Sequence, residues 1–404
     1  MRISTSTLYD VNAANLNQQQ TLMFQTQQQI ATGRRMLTPA DDPAAAARAL
    51  EVSQVDASNT QYINNLSAAS STLSLSDSTL QSVVTLLQNA HTKAINAVNP
   101  TLSNADRAAL ATDLQSSLDE LVGLANSTDS NGNYLYSGFQ GGITPFGQTA
   151  AGIQYLGDDG QRKVQGNASI QLSTSDSGAD IFMRIKNGNG TFVTQTGASN
   201  SGSGIITQGV VNNPALLNSD QYQLKFNVSG GITTYDITDT TTGTALSAGN
   251  AYVNGQQITF NGMQFNIQGA PSDGDVFTIA PSTNVSIFQT LSNLISALRT
   301  PLIQGNIAST TQLNAALGAA QNGLMQGLDN VLTTRAALGS RMNTADSLTS
   351  TANSLGLQYK QTLSQLQEVD YNAAISELAK QSTTLQAAQK SFLQVQNLSI
   401  FNYL

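Results

Sequence analysis

The stretch LGAAQNGLMQGLDNVLTTRAALGSRMNTADSLTSTANSLGLQYKQTLSQL, residues 317–366, decides the fold. Leu317, Leu324, Val331, Leu338, Ala345, Ala352, Tyr359 and Leu366 stand at eight successive positions spaced by seven. Seven residues are close to two helical turns, so these side chains form one stripe, the seam along which helices pair. Leu328, Met342 and Leu363 supply parts of the neighbouring seam. The spacing predicts one long, coiled-coil-like helix that needs partners.

The partners lie on either side in the chain. Leu66, Leu73, Leu80 and Leu87 repeat at spacing seven in a block that ends at Asn99-Pro100. Asp42 is suited to cap its start, with Pro43 at the first helical position, where the missing N–H costs nothing. Ser103 and Asp106 have the spacing of a capping box for a further helix carrying Leu110, Leu114, Leu118 and Leu121. Both chain ends carry the same period: Leu16, Met23, Ile30 and Leu37 at the start, and Tyr371, Leu378, Leu385 and Phe392 at the end. The first helix is expected to stop at Gly33, a C-terminal cap.

Residues 141–285 read differently. They hold 22 of the 32 glycines and no glutamate. Tyr222, Leu224, Phe226 and Val228 alternate with polar residues, the pattern of a half-buried strand. Asn261-Gly262 between two apolar runs is a hairpin signal, because a tight type I′ turn needs positive φ at both positions. Asn187-Gly188 suggests a second turn after an extended segment at 181–186, and 197–204 reads as a loop. The expected fold class is therefore α+β: a long coiled-coil-like helical bundle built from both chain ends, with an inserted all-β domain. Expected domains are 1–40 with 368–404 (terminal helices), 41–140 with 286–367 (helical bundle) and 141–285 (β insert). The terminal seams are thin. These helices are expected to be mobile in the isolated chain and to order against neighbouring subunits through Leu16, Met23, Ile30, Leu37, Tyr371, Leu378, Leu385 and Phe392.

Composition narrows the chemistry. Charged residues are 10% of the chain, against about 25% in ordinary globular proteins. A surface of Gln, Asn, Ser and Thr repels copies of itself weakly. The net charge of −8 and the absence of a basic stripe argue against nucleic-acid binding. Cysteine is absent and His91 is the only histidine, which excludes thiolate metal sites and HExxH zinc sites. Asp129, Asn131 and Asn133 imitate a calcium loop, but Tyr134 stands at its sixth position and Gln140 at its twelfth. No phosphate loop and no convergent catalytic set is visible, so neither a cofactor nor an enzyme is expected. The polar start lacks the apolar core of a secretory signal, and no window is apolar enough to span a membrane.

Residues 31–50, ATGRRMLTPADDPAAAARAL, resemble the N-terminal signature of the bacterial flagellin superfamily, with Gly33, Arg34, Pro39, Asp41, Asp42 and Pro43 as the matching positions. The Thr-Pro-Ala-Asp-Asp-Pro form is similar to the branch that joins hook to filament. The closing segment YNAAISELAKQSTTLQAAQKSFLQVQNLSIFNYL, residues 371–404, resembles that branch too, and 132–138 resembles the family's passage from helix into β domain. The resemblance implies export through the flagellar type III apparatus without a cleaved signal, hence an extracellular place in the flagellum. It implies terminal helices forming an inner tube, the other helices an outer tube, and an outward β domain. The implied partners are flagellin, another hook-associated protein, copies of the chain itself, and a cytosolic export chaperone on the C-terminal helix at Leu378, Leu385, Phe392 and Val395. Gln18, Gln19, Gln25 and Gln29 would then face the export channel. The alternatives are a divergent flagellin or an adhesin presenting the β domain on a helical stalk.

Overall fold

The structure is a computed structural model and describes residues 5–397. The closing run 398–404 and the side chain of Val395 lie outside the described residues. Among the described residues there are six α-helices: α1 (Thr5–Thr32), α2 (Pro43–Asn96), α3 (Asn104–Ala125), α4 (Ile287–Arg299), α5 (Ile307–Gln367) and α6 (Tyr371–Asn397). All strands lie between α3 and α4, so the fold is the α+β arrangement expected. The chain divides into two compact units, one of Met1–Asn65 with Ser347–Leu404 and one of Leu66–Asp346. The division falls inside α2 and α5, whereas borders near 40 and 368 coincide with breaks between helices.

In the unit of residues 66–346, the heptad leucines form the core. Leu66, Leu73, Leu80 and Leu87 of α2, Leu114 and Leu121 of α3, and Leu317, Leu324, Val331 and Leu338 of α5 are almost fully buried. The α3 start is the capping box its sequence suggests: the Ser103 N–H donates to Asp106 Oδ2 at 2.9 Å and the Asp106 N–H donates to Ser103 Oγ at 3.2 Å. Helix α4 was not singled out in the sequence, where its heptad pairs 287/294 and 291/298 form too short a run to stand out. It is only 13 residues long, and its Ile287, Leu291, Leu294 and Leu298 line one buried face. It packs against α3 and lies close on α5 because α5 carries glycines there. A Cβ at Gly323 would sit 2.8 Å from Thr290 Cγ2, and one at Gly327 would overlap Ile287 Cδ1.

The insert has its own core. One antiparallel sheet runs in the order 244–251, 232–239, 222–229, 276–281, 192–196. A second pairs 257–260 with 263–268, which also pairs with 205–206 and 210–211. Tyr222, Leu224, Phe226, Phe265, Ile267 and Phe277 are buried together with residues of both sheets. The Asn-Gly turn is as read: Phe260 pairs with Met263, with φ of 44° at Asn261 and 75° at Gly262.

The base of the insert is fixed to the helices by aromatic packing, by an ion pair and by Asn330 of α5, whose Nδ2 donates to the carbonyls of Asp180 and Ile181 at 2.8 and 2.9 Å. Tyr136, Phe146, Phe182 and Phe288 form an aromatic cluster with edge-to-face contacts at centroid distances of 5.4 and 5.7 Å. Arg341 of α5 grips Asp176 with two parallel bonds of 2.7 and 2.9 Å. The segment 181–186 differs from the extended reading: Ala179–Met183 is one π-helical turn and only Ile185–Lys186 is a strand. Consecutive Ile181 and Phe182 are both buried, which an alternating strand cannot achieve. The Asp129 carboxylate is occupied by the N–H groups of Asn131 and Asn133, each at 2.9 Å, so this loop is held by its own backbone.

Gly327→Val tests the close approach of α4 to α5. Overpacking is expected to cost about 1–3 kcal/mol, lowering the thermal transition by roughly 2–4 °C per kcal/mol. An unchanged transition in calorimetry would show that the contact tolerates a side chain.

Candidate assembly interface

The unit that contains both chain ends is built from α1, α6, the first turns of α2 and the last turns of α5. The α1 helix stops at Gly33, with φ of 70°, and a Cβ there would lie 3.0 Å from the Tyr371 hydroxyl. The chain then meets the α5–α6 break in a short antiparallel clasp. The Val369 N–H donates to Gly33 O at 3.0 Å, the Arg35 N–H donates to Gln367 O at 2.7 Å, and Arg34 opposes Glu368.

The signature residues build the rest of this loop. Asp41 Oδ2 accepts from the N–H groups of Leu37 and Thr38, both at 2.8 Å. Those backbone bonds, Thr38 first and then Leu37, hold the Asp41 carboxyl below the usual aspartate value. Asp42 Oδ1 accepts from the Ala45 N–H at 3.0 Å, capping α2 with Pro43 as its first residue. Pro39 lies in the exposed turn between them. Arg35 was not singled out by the sequence, yet its guanidinium reaches Leu366 O at 3.1 Å and Asp42 at 3.3 Å. Nothing distinguishes it from Arg34 in sequence, because its task depends on α5 lying opposite. Asp370 accepts from the Asn372 and Ala373 N–H groups and so caps α6. An aspartate directly before an apolar-periodic run was a readable signal for that cap.

The α1 and α6 helices pack against each other, with Tyr9 and Phe392 in ring contact at 5.2 Å. On α1 the partly buried line holds Leu16, Gln19, Met23 and Ile30, and Thr26 is buried. On α6 it holds Ala374, Leu378, Gln381, Leu385, Ala388 and Phe392. The heptad residues are therefore largely spent within the chain. Two of them do not belong to the seam. Leu37 lies beyond the end of α1, since Gly33 breaks the helix. Tyr371 is the first residue of α6 and 52% exposed, with its hydroxyl beside Gly33, and Ala374 is the first buried residue of the α6 seam.

The glutamines also divide. Gln18 is exposed and Gln19 is half-buried in the seam line. Gln25 donates to Asp41 at 3.4 Å and Gln29 to Arg35 O at 2.7 Å, so both face the loop. Among the mostly polar outward residues of the pair, four apolar ones, Val11, Phe24, Ile375 and Leu393, are more than half exposed. Exposed apolar residues scattered singly are ordinary, and contiguous ones mark an interaction surface. Among the described residues, no three His, Cys, Asp or Glu side chains gather as a metal site, and no helix is long and apolar enough to cross a membrane.

Comparison with known proteins identifies this arrangement. Residues 3–140 match the bacterial flagellin N-terminal helical region. The chain is 31% identical to flagellar hook-associated protein 3 of Escherichia coli (strain K12) over 401 residues, 99% of both chains. It belongs to the flagellar hook-associated protein 3 family. A solved structure of the same family, the flagellar junction protein FlgL from Legionella pneumophila, superposes with a TM-score of 0.70 at 29% identity, covering 80% of this chain and 100% of that one. Flagellin B of Helicobacter pylori (strain ATCC 700392 / 26695) is only 23% identical, over 56% of this chain and 40% of its own length. Hook-associated protein 3 is thus matched from end to end, and flagellin over part of its length.

Since the folded Asp41 carboxyl titrates below 3.8, its hold on the loop is complete above that pH and is lost as pH falls through the lower folded value. The amide proton shifts of Leu37 and Thr38 are expected to follow this ionisation, with a midpoint below 3.8. A midpoint at or above that value would mean the carboxylate does not hold those amides in solution.

Proposed function

We propose that this chain is the structural subunit that joins the flagellar hook to the filament, forming the adaptor layer on which flagellin polymerises. The observation that carries this reading is the end-to-end correspondence with hook-associated protein 3. A filament subunit is the weaker reading, since the likeness to flagellin covers little more than half of the chain. A stalked adhesin explains the β insert but not the likeness at both termini.

The neighbours in this reading are flagellin on one side, another hook-associated protein on the other, and copies of the chain around the ring. Subunit contacts fall on the outward residues of the terminal pair, Val11, Phe24, Ile375 and Leu393, in place of the heptad line, which α1 and α6 use on each other. Gln18 keeps a place on the channel side; Gln25 and Gln29 serve the loop. The protein travels to the distal end of the flagellum through its export channel without a cleaved signal. Before that passage a cytosolic chaperone covers α6. Leu378, Leu385 and Phe392 become available to it only when α6 is not paired with α1, and a groove that takes one apolar helix face is the fitting partner.

Deleting the gene tests the function. Hooks without filaments, with monomeric flagellin in the medium, are expected. Loss of the major flagellin itself would make the chain a filament subunit, and intact filaments would remove both readings. The contact surface has its own test in the doubly substituted Phe24→Asp, Ile375→Asp chain. Both positions are exposed, so the monomer should keep its stability within about 0.5 kcal/mol while swimming motility is lost. Normal motility would move the subunit contacts elsewhere.

A further inference from the structure

Arg107 of α3 stands where the helical core has leucine. Arg107, Leu114 and Leu121 follow one another at spacing seven on the buried stripe of the helix, and only 4% of Arg107 is exposed. Its side chain nevertheless has no hydrogen-bond partner and no carboxylate at ion-pair distance among the described residues. The more exposed Arg335 and Arg341 each hold an aspartate, Asp77 and Asp176. Asp106, next to Arg107 in the chain, is committed to the helix cap, where its Oδ2 accepts from the Ser103 N–H at 2.9 Å and the Ser103 hydroxyl at 2.8 Å. Burying a guanidinium without a counter-charge is strongly unfavourable, and arginine is almost never fully buried unless it is paired. The start of α3 is also held in place. Asn104 Oδ1 accepts from the Leu302 N–H at 2.9 Å and its Nδ2 donates to Leu302 O at 3.1 Å, which ties the α4–α5 link to the helix that carries Arg107.

We propose that Arg107 is an anion-binding site at this end of the helical core, taking an oxyanion on its guanidinium. The open edge decides the geometry. Nε is sealed from solvent, whereas the Nη1–Nη2 end is not. That end is a planar fork which meets two oxygens of one anion in parallel. The chemistry is the same for a free phosphate-type ion and for a carboxylate of another subunit, and either supplies the counter-charge that the chain itself withholds. The site does not depend on the junction reading.

Thermal unfolding of the purified full-length chain in phosphate, acetate and chloride at equal ionic strength tests the site. A ligand of the folded form raises the transition with the logarithm of its concentration above Kd, so phosphate and acetate should both raise it relative to chloride. Phosphate also stabilises folded chains in general, and Arg107→Met separates that effect, because only the specific part should vanish in it. Arg299→Met, at an exposed position of α4, should keep the whole shift. Arg107→Lys keeps the charge and loses the fork, and should need several-fold more phosphate for the same shift. In chloride, Arg107→Met should unfold no lower than the unsubstituted chain, since it removes an unpaired buried charge. A clearly lower transition would mean that Arg107 is paired within the chain and would overturn the proposal. Equal shifts in the unsubstituted and Arg107→Met chains, or no excess over chloride, overturn it as well. With the site established, motility separates the two sources. Normal swimming of Arg107→Met cells assigns the ligand to a free ion. Lost swimming, with the variant secreted in normal amount, assigns it to a carboxylate of another subunit.

Discussion

The pairing of Gly33–Arg35 with Gln367–Val369 is the constraint on which the chain-end unit depends. Two backbone bonds, Val369 N–H to Gly33 O and Arg35 N–H to Gln367 O, tie positions more than 330 residues apart in sequence. Once tied, α1 and α6 leave the clasp side by side, and their register is set before any seam residue is consulted. Gly33 is needed twice over: its positive φ ends α1, and its missing Cβ leaves space beside the Tyr371 hydroxyl. Asp41, Asp42 and Arg35 brace the same loop from within. Asp41 and Asp42 are thus spent on backbone N–H groups of this loop and, for Asp42, on the Arg35 guanidinium.

Much of this was legible in the sequence, wherever a local rule had a local cause. The seven-residue period gave α5 and α2, because both helices bury one continuous stripe. Caps at Ser103 and Asp42 and the turn at Asn261-Gly262 follow from backbone chemistry within a few residues. The misses share a different origin. Leu37 shares the period of α1 but lies past the expected stop at Gly33, and Tyr371 shares the period of α6 but is its first residue and stays half exposed. The segment 181–186 looked extended because its residues suit a strand, but Phe182 joins the aromatic cluster around Phe146 and Phe288 while its neighbour Ile181 is buried as well. Gln25 and Gln29 are ordinary helix-surface glutamines in sequence. Their partners belong to a loop whose path depends on α5, and no local pattern encodes that.

The two units solve different physical problems. In residues 66–346 nearly every heptad leucine is buried, glycines let α4 approach α5, and the insert closes a core of its own. The chain-end unit has a narrow seam with Thr26 and Gln381 inside it and Phe24 and Ile375 outside it. Such a surface would be a liability for a protein that stays single, since exposed apolar patches promote association and a chain with 10% charged residues offers little repulsion to prevent it. It is coherent for a subunit whose final state covers that surface. The stability of the terminal pair is then a property of the assembled layer, rising with every neighbour that binds the folded form.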